Sequence, residues 1–394
     1  MDVRAIVLTG IPTDSVSTGV SASLASAPET FSGVPLCLLP ILGKTLLHRI
    51  ADRLRQTGVD SVSVLNAADA SLPLVAEARR ADLNWKDIPP EQVWRAAEDE
   101  FDRLVQAGAE IVLVLRLGAY AEVEIDPLLQ FHLDQRNHTT QVVAGDGALD
   151  FFVLSGSRRN DAAFLLRSKL TKMRVQTQPF STNCYVNRLQ NAGQFRQLVL
   201  DTFALKTSIQ PLGEQVRPGV WVGTGARIER GVRLVAPCYV GASSKIRAGA
   251  LITRGSSVEH HCVVDCGTVV ESSTLLPLSY VGAGLDLMHS VVGSKRIVSV
   301  KYSAELAVED NTLVSAVPAT SALRTLNHAA NLVAFVPRQM IRSIFGERKL
   351  RKSQADVECP EPSFDPAAVA RPVAQDRQSL TSTVVAGMRD YGNQ

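Results

Sequence analysis

From Val216 to Leu276 an aliphatic residue returns at every sixth position: Val216, Val222, Ile228, Leu234, Val240, Ile246, Ile252, Val258, Val264, Val270 and Leu276. Four places after each stands a second set: Val220, Ala226, Val232, Cys238, Ser244, Ala250, Ser256, Cys262, Thr268, Thr274 and Tyr280. All but the last are small or β-branched. A short fixed period marks a repeat architecture, and a hexapeptide period marks a parallel β-helix. One hexad makes one short strand, and three hexads make one turn of a triangular prism. Each aliphatic residue then points into the prism, where only the coils above and below can bury it.

The ladder accounts for a small share of the 394 residues. At roughly 150 residues per domain, a chain of this length holds two or three units. A net charge of +2 argues against wholesale nucleic-acid binding. The six cysteines show no framework-like spacing, and no secretory leader pattern opens the chain, so the expectation is a cytoplasmic protein with free thiols. No apolar run reaches the roughly 20 residues of a membrane span.

Upstream of the ladder the pattern changes. Ala5–Leu8 reads as a buried strand closed by Thr9-Gly10, and residues 11–35 read as a long Ser/Thr/Gly/Pro-rich loop. Leu46, Leu47, Ile50 and Leu54 then form one face of an amphipathic helix ended by Gly58, and Val59, Val62 and Val64 begin a second strand. A helix through Val93, Ala97, Phe101 and Leu104 feeds the strand Ile111–Leu115. Alternating strands and helices indicate an α/β layer with a mostly parallel sheet.

These segments resemble the sugar-1-phosphate nucleotidyltransferases, or NDP-sugar pyrophosphorylases, a family that includes mannose-1-phosphate guanylyltransferases. The family opens with a strand, a G-G-x-G-T-R loop, a P-K-P-L-L-P-I-x-G-K/R-P-L stretch, a helix, then G-V/I and a strand. Leu38-Leu39-Pro40-Ile41, Gly43-Lys44, Leu46-Leu47 and Gly58-Val59 match the second half. Val112–Leu115 with Ile125–His132 is similar to the central strand and the helix after it, and Tyr185–Leu189 to the G-Y-W-x-D segment. The stretch from Ser273 to Gly293 looks like the family's closing coils. The resemblance spans roughly residues 3–300. It implies a Rossmann-like nucleotidyltransferase domain (1–205) followed by a left-handed parallel β-helix (212–300), with nucleotide-binding positions at Thr9, Gly10 and Gly118.

The family reaction joins a sugar 1-phosphate to a nucleoside triphosphate and releases pyrophosphate. It needs amides and cations on the phosphates, and Mg²⁺ held by carboxylates. Matched position by position, the phosphate loop reads Thr9-Gly10-Ile11-Pro12-Thr13-Asp14-Ser15, where Pro12 has no amide proton to give. The lysine of P-K-P falls on Leu36, the aspartate of the central strand's N-G-D on Gly118, and the second metal-binding aspartate on Arg188. A cation in place of a metal ligand repels Mg²⁺. Asp14 and Asp126 are the carboxylates placed to substitute, with Glu122 and Glu124 nearby; the bland reading puts the two glutamates on a solvated strand edge and makes Asp126 the cap of a helix starting at Pro127.

Hexad prisms also serve acyltransferases, which use a histidine base beside a coenzyme A groove; His260 and His261 are the residues for that role, at a corner and pointing outward. No metal site is expected, since Cys262 is an inward core filler and no second Cys/His pair stands at zinc-ligand spacing. Beyond Val300 the reading is capping strands and a basic amphipathic helix (301–352), whose Phe335–Phe345 face packs on the prism or touches a membrane surface, then a disordered tail (353–394). Three functions stand against one another: a catalytically degenerate pyrophosphorylase relative acting in regulation or assembly, as a homo-oligomer or with an active relative; an active nucleotidyltransferase with unusual Mg²⁺ ligands; and a hexapeptide acyltransferase.

Overall fold

The computed structural model describes residues 1–10, 30–59, 61–145, 147–170 and 178–317. Asp14, most of the loop 11–35, the basic helix and the tail lie outside the described residues.

The N-terminal part is a seven-stranded sheet built from β1 (Val3–Thr9), β2 (Ser61–Asn66), β3 (Asn84–Asp87), β4 (Ile111–Arg116), β5 (Thr139–Ala144), β6 (Gly147–Ser155) and β7 (Phe180–Thr182). Their order across the sheet is β7-β5-β6-β4-β1-β2-β3. β1 runs parallel to β2 and β4, its neighbours, while β6 is antiparallel to both of its own. β1 from Ala5 to Leu8 and β4 from Ile111 to Leu115 are continuous apolar runs because both of their faces are covered.

The helices are α1 (Leu46–Gln56), the short α2 (Pro73–Glu77), α3 (Val93–Gln106), α4 (Ile125–Asp134), α5 (Arg159–Arg167) and α6 (Ala192–Phe203). Leu46 of α1, Leu128 of α4 and Phe195 of α6 belong to one core beside Ala5, Val7 and Leu113. Phe101 of α3 and Leu165 of α5 belong to the other, beside Ile6, Leu8 and Val114. Alternate residues of β1 thus serve opposite layers. Thr45 caps α1, its hydroxyl accepting from the His48 amide at 3.2 Å.

The C-terminal part contains three sheets of short, mainly parallel strands, which the chain visits in turn. Val222 pairs with Val240 and Val240 with Val258; Ile228 leads to Ile246 and Val264; Leu234 leads to Ile252 and Val270. Val240, Ile246, Ile252, Val258, Val264 and Val270 are fully buried. The small residues between them are buried too, and their hydroxyls bond to backbone: Ser244 Oγ donates to Glu259 O at 2.7 Å and Thr268 Oγ1 to Gly282 O at 2.5 Å. A polar side chain in the prism is tolerated because it is short enough to satisfy itself on the adjacent coil.

Both ends of the ladder read from sequence need correction. Val216 lies on an antiparallel strand, Glu214–Arg217, and is 48% exposed. At the other end Val258 pairs with Leu275 rather than with the residue one place on, so Leu275 takes the inward position and Leu276 joins the core shared with the α/β part. One residue dropped from a turn flips the side chains that follow to the opposite face. Arg296–Ser299 and Ala304–Ala307 then extend one sheet antiparallel, and Val314–Ala316 closes another. Cys37, Cys184, Cys238 and Cys262 are free thiols. Among the described residues no helix is long and apolar enough to cross a membrane.

The two parts meet along the outward row Trp221, Tyr239, Ser257, Thr274 and Val291, which are register partners in one sheet. Phe203 of α6 stacks on Trp221 with centroids 6.0 Å apart. Arg196 of the same helix, 2% exposed, donates to Gly255 O at 2.5 Å, Ser272 O at 3.1 Å and Thr274 Oγ1 at 3.3 Å. Replacing it by alanine strands buried acceptors on the coil, and Arg196→Ala is expected to lower the unfolding free energy by about 3 kcal/mol in urea titrations. A loss under about 0.5 kcal/mol, the range of ordinary surface changes, would show that the guanidinium does not fasten the two parts.

Candidate functional site

Ligands of open α/β sheets bind beyond the carboxyl ends of the strands, and there the structure gathers Thr9, Gly10, Asn66, Asp87 and Arg116. Thr9 Oγ1 donates to Asn66 Oδ1 at 2.9 Å; Asn66 Nδ2 donates to Ala68 O and to Asp87 Oδ1, both at 3.0 Å. Trp85 Nε1 adds a bond to the same Asp87 oxygen at 2.9 Å, and Arg79 pairs with the other. Gly10 has φ +69°, and a Cβ there would lie 2.5 Å from the Ala68 amide nitrogen. Close packing on the next strand's loop thus already accounts for this glycine, with no phosphate required.

Further along the same edge the charges are reversed from those that metal chemistry needs. Arg116, at the end of β4, places Nε 2.8 Å and Nη2 2.5 Å from Asp150 Oδ2 on β6. Arg188, at the position of the second metal aspartate, donates from Nη1 to Ala148 O on the same strand at 3.4 Å. Gly118 has open space where a Cβ would stand, so crowding is not what removed the carboxylate. Asp126 is exposed in the first turn of α4, and the N-cap is Glu124, whose side chain makes no capping bond; the expectation that Asp126 caps a helix from Pro127 is thereby corrected. Glu122 is no bare edge residue either, since Oε1 accepts from Tyr120 Oη at 2.8 Å and from the Ser208 amide at 2.5 Å. Among the described residues no cluster of three or more His, Cys, Asp or Glu could hold a metal ion. Two guanidinium groups and an already paired carboxylate do not fit Mg²⁺.

The histidines singled out from sequence lie elsewhere, in the seam between the coil and α2. His260 points out of the prism but into the seam, where it is largely buried: its Nε2 stands 3.4 Å from Glu77 Oε1 and its Nδ1 3.2 Å from Nδ1 of His261. Burial, with His261 beside it, holds His260 down to about 4, while burial raises Glu77. Both histidines border a cavity of about 490 Å³ that also touches Lys44, His48 and Tyr239. His48 is engaged there, with Nε2 bonded to Ala78 O at 2.7 Å.

Next to them Glu259, fully buried, crosses the seam. Oε1 accepts from the Leu42 amide at 2.8 Å and Oε2 from the Gly43 amide at 2.9 Å. The two amides point one way because Leu42 (φ 53°) and Gly43 (φ 91°) form the turn between Pro40–Ile41 and Lys44–Thr45; a Cβ on Gly43 would strike Tyr239 Oη. Arg49 Nη2 donates to Ile41 O at 2.8 Å, braces the other side of the turn, and keeps a buried Nε with no hydrogen-bond partner.

No protein-family profile matches the chain. A stretch of 103 residues is 29% identical to a UTP–glucose-1-phosphate uridylyltransferase of Synechocystis sp. (strain ATCC 27184 / PCC 6803 / Kazusa), covering 26% of this chain and 26% of that protein. The chain therefore aligns with about a quarter of the curated relative's length. Among solved structures, HddC from Yersinia pseudotuberculosis aligns over 50% of this chain and 97% of its own at 14% identity and a TM-score of 0.35. The uridylyltransferase similarity supports a nucleotidyltransferase-like relationship.

Thr9 and Gly10 meet at the strand ends, with Gly118 further along the same edge; His260 and His261 sit apart in the seam; Asp14 lies outside the described residues. Sequence reasoning missed Asn66, Asp150 and Glu259, whose partners are 57, 34 and about 217 residues away. The one available signal was Glu259 itself, a charged residue following an inward hexad position.

Burial outweighs the Gly43 and Leu42 amides and Arg49, and pushes Glu259 from its ordinary 4.5 up to about 7. A raised carboxyl contributes stability that is complete below about 4.5 and is lost as pH climbs through about 7. Measured against Glu259→Gln, which does not titrate, the wild type should lose up to about 3 kcal/mol between pH 5 and pH 8 in denaturant titrations. A pH-independent difference would rule out the raised value.

Proposed function

We propose that this chain is a sugar-nucleotide pyrophosphorylase-like protein that has lost transfer chemistry and acts as a regulatory or assembly subunit in nucleotide-sugar metabolism. The observation that carries this reading is Arg188, a cation bonded to Ala148 O of β6 at one of the two positions where the resembled family keeps a metal carboxylate; the other is Gly118, and the nearby Asp150 is already paired with Arg116. The residue-by-residue resemblance and the match to a uridylyltransferase support the family side of the proposal. We also infer that residues 1–205 are a nucleotidyltransferase-like domain, and that the hexad region 212–300 is a left-handed β-helix, a reading supported by its six-residue period and three-sheet pairing.

Arg188 is the cation offered to a phosphate near the strand ends, since Arg116 is already neutralised by Asp150; a guanidinium neutralises phosphate directly, so any retained nucleotide or sugar-nucleotide binding is independent of Mg²⁺. In a thermal-shift screen the stabilising nucleotide is expected to act equally with Mg²⁺ and with EDTA, by about 2.7 kcal/mol at a hundredfold excess over Kd. Incubation with each nucleoside triphosphate, Mg²⁺ and common sugar 1-phosphates should release no pyrophosphate above background. Turnover that disappears on replacing Asp14 or Asp126 would instead establish the active-enzyme alternative, with Mg²⁺ on those carboxylates. The acyltransferase alternative has less support, since Glu77 and His261 already face His260; acetyl-CoA binding lost in a His260→Ala/His261→Ala variant would restore it.

A further inference from the structure

The prism is closed at one end and open at the other. At the C-terminal end the chain folds back over its own core: Val314 is 1% exposed and Val308 9%, beneath the antiparallel strands described above. At the N-terminal end only one of the three sheets continues, through Glu214–Arg217. Arg227–Ile228 and Arg233–Leu234 are edge strands of the other two and have a neighbour on one side only. Ile228, which occupies the same inward position as the fully buried Ile246 directly above it, is 40% exposed, and Val232 and Leu234 are half-buried. Repeat proteins need terminal repeats with a polar outer face, and here the last layer of the core is offered to solvent.

The rim of this opening is basic. Arg217, Arg227, Arg230 and Arg233 are all exposed, and among the described residues none of them has an ion-pair partner. On the coils above, arginines do find carboxylates: Arg247 pairs with Asp265 at 3.0 Å and Arg254 with Glu271 at 2.5 Å. Of the two glutamates near the opening, Glu229 is occupied with the Ala248 amide at 3.0 Å. A second copy docked by a two-fold axis would set these arginines against themselves, since such an interface uses one patch twice. The complementary surface is one of opposite charge, and an edge strand with free amides accepts a strand most readily.

We propose that the open first coil, around Ile228 and Leu234, is the docking site for a partner protein that adds a strand alternating apolar and acidic residues. This names the surface and the partner chemistry for the assembly role above and rests on that reading; the pyrophosphate and nucleotide assays can fail without touching it. The arginines would steer the partner and set its register, and the exposed aliphatic layer would supply the buried contact.

The test uses the full chain and two labelled ten-residue probes, one alternating valine with glutamate and one alternating valine with lysine, read by fluorescence anisotropy. The acidic probe is expected to bind at least about tenfold tighter than the basic one, and to weaken about tenfold between 50 and 500 mM salt. Arg227→Glu/Arg230→Glu/Arg233→Glu should reverse the preference, and Ile228→Asp should abolish binding of both; melting curves within a few degrees of wild type confirm that these exposed positions leave the fold intact. Equal affinity for the two probes, or no binding of the acidic one, overturns the proposal. So does tighter binding of a single-stranded oligonucleotide than of the acidic probe, or sedimentation showing a wild-type dimer that Ile228→Asp dissociates.

Discussion

The Glu259 carboxylate is the contact on which the arrangement of the two parts turns. It leaves the coil at the residue after an inward valine, crosses the seam fully buried, and takes both amides of the Leu42–Gly43 turn. A buried carboxyl without partners is costly, and the Leu42 and Gly43 amides are the partners that the turn supplies. Arg196 does the converse from the other side, carrying a cation from α6 onto carbonyls of the coil. Each part thus supplies a charged group that only the other part satisfies. The motif Pro40-Ile41-Leu42-Gly43-Lys44 is accordingly held by the coil and cannot be understood from the α/β part alone.

That dependence bears on the strand-end site. The scaffold around it is intact: the sheet order, the α1 cap and the Gly10 approach to Ala68 are all in place. What differs is charge. Where metal chemistry requires carboxylates free to bind, the structure holds Arg116 against Asp150 and brings Arg188 to the same strand. An ion pair of this kind keeps a strand edge neutral and ordered at no cost to the fold. It is nonetheless incompatible with a divalent cation at the same point.

Much of this was legible from composition and period. The aliphatic ladder marked a coil of three strands per turn because each inward position can be buried only by its equivalents eighteen residues away, which makes the pattern strict. β1 and β4 declared themselves as continuous apolar runs because both of their faces are covered. The departures from the resembled family's loop, lysine and carboxylate positions were equally plain, being a matter of residue identity. The one-residue slip showed in Val281 and Leu287, each one place early in the count, but the N-terminal end did not declare itself: Val216 fits the period and yet lies on an antiparallel strand.

By itself, then, the sequence determined the two kinds of architecture and the inward residues of the middle coils, all of which follow from local period or from side-chain chemistry. Only the tertiary structure decided which charges meet. Asp150 with Arg116, Glu77 with His260, and Glu259 with the Leu42–Gly43 turn are all distant in sequence and carry no periodic signature. Electrostatic partners are chosen by proximity in space, and proximity is what folding alone creates.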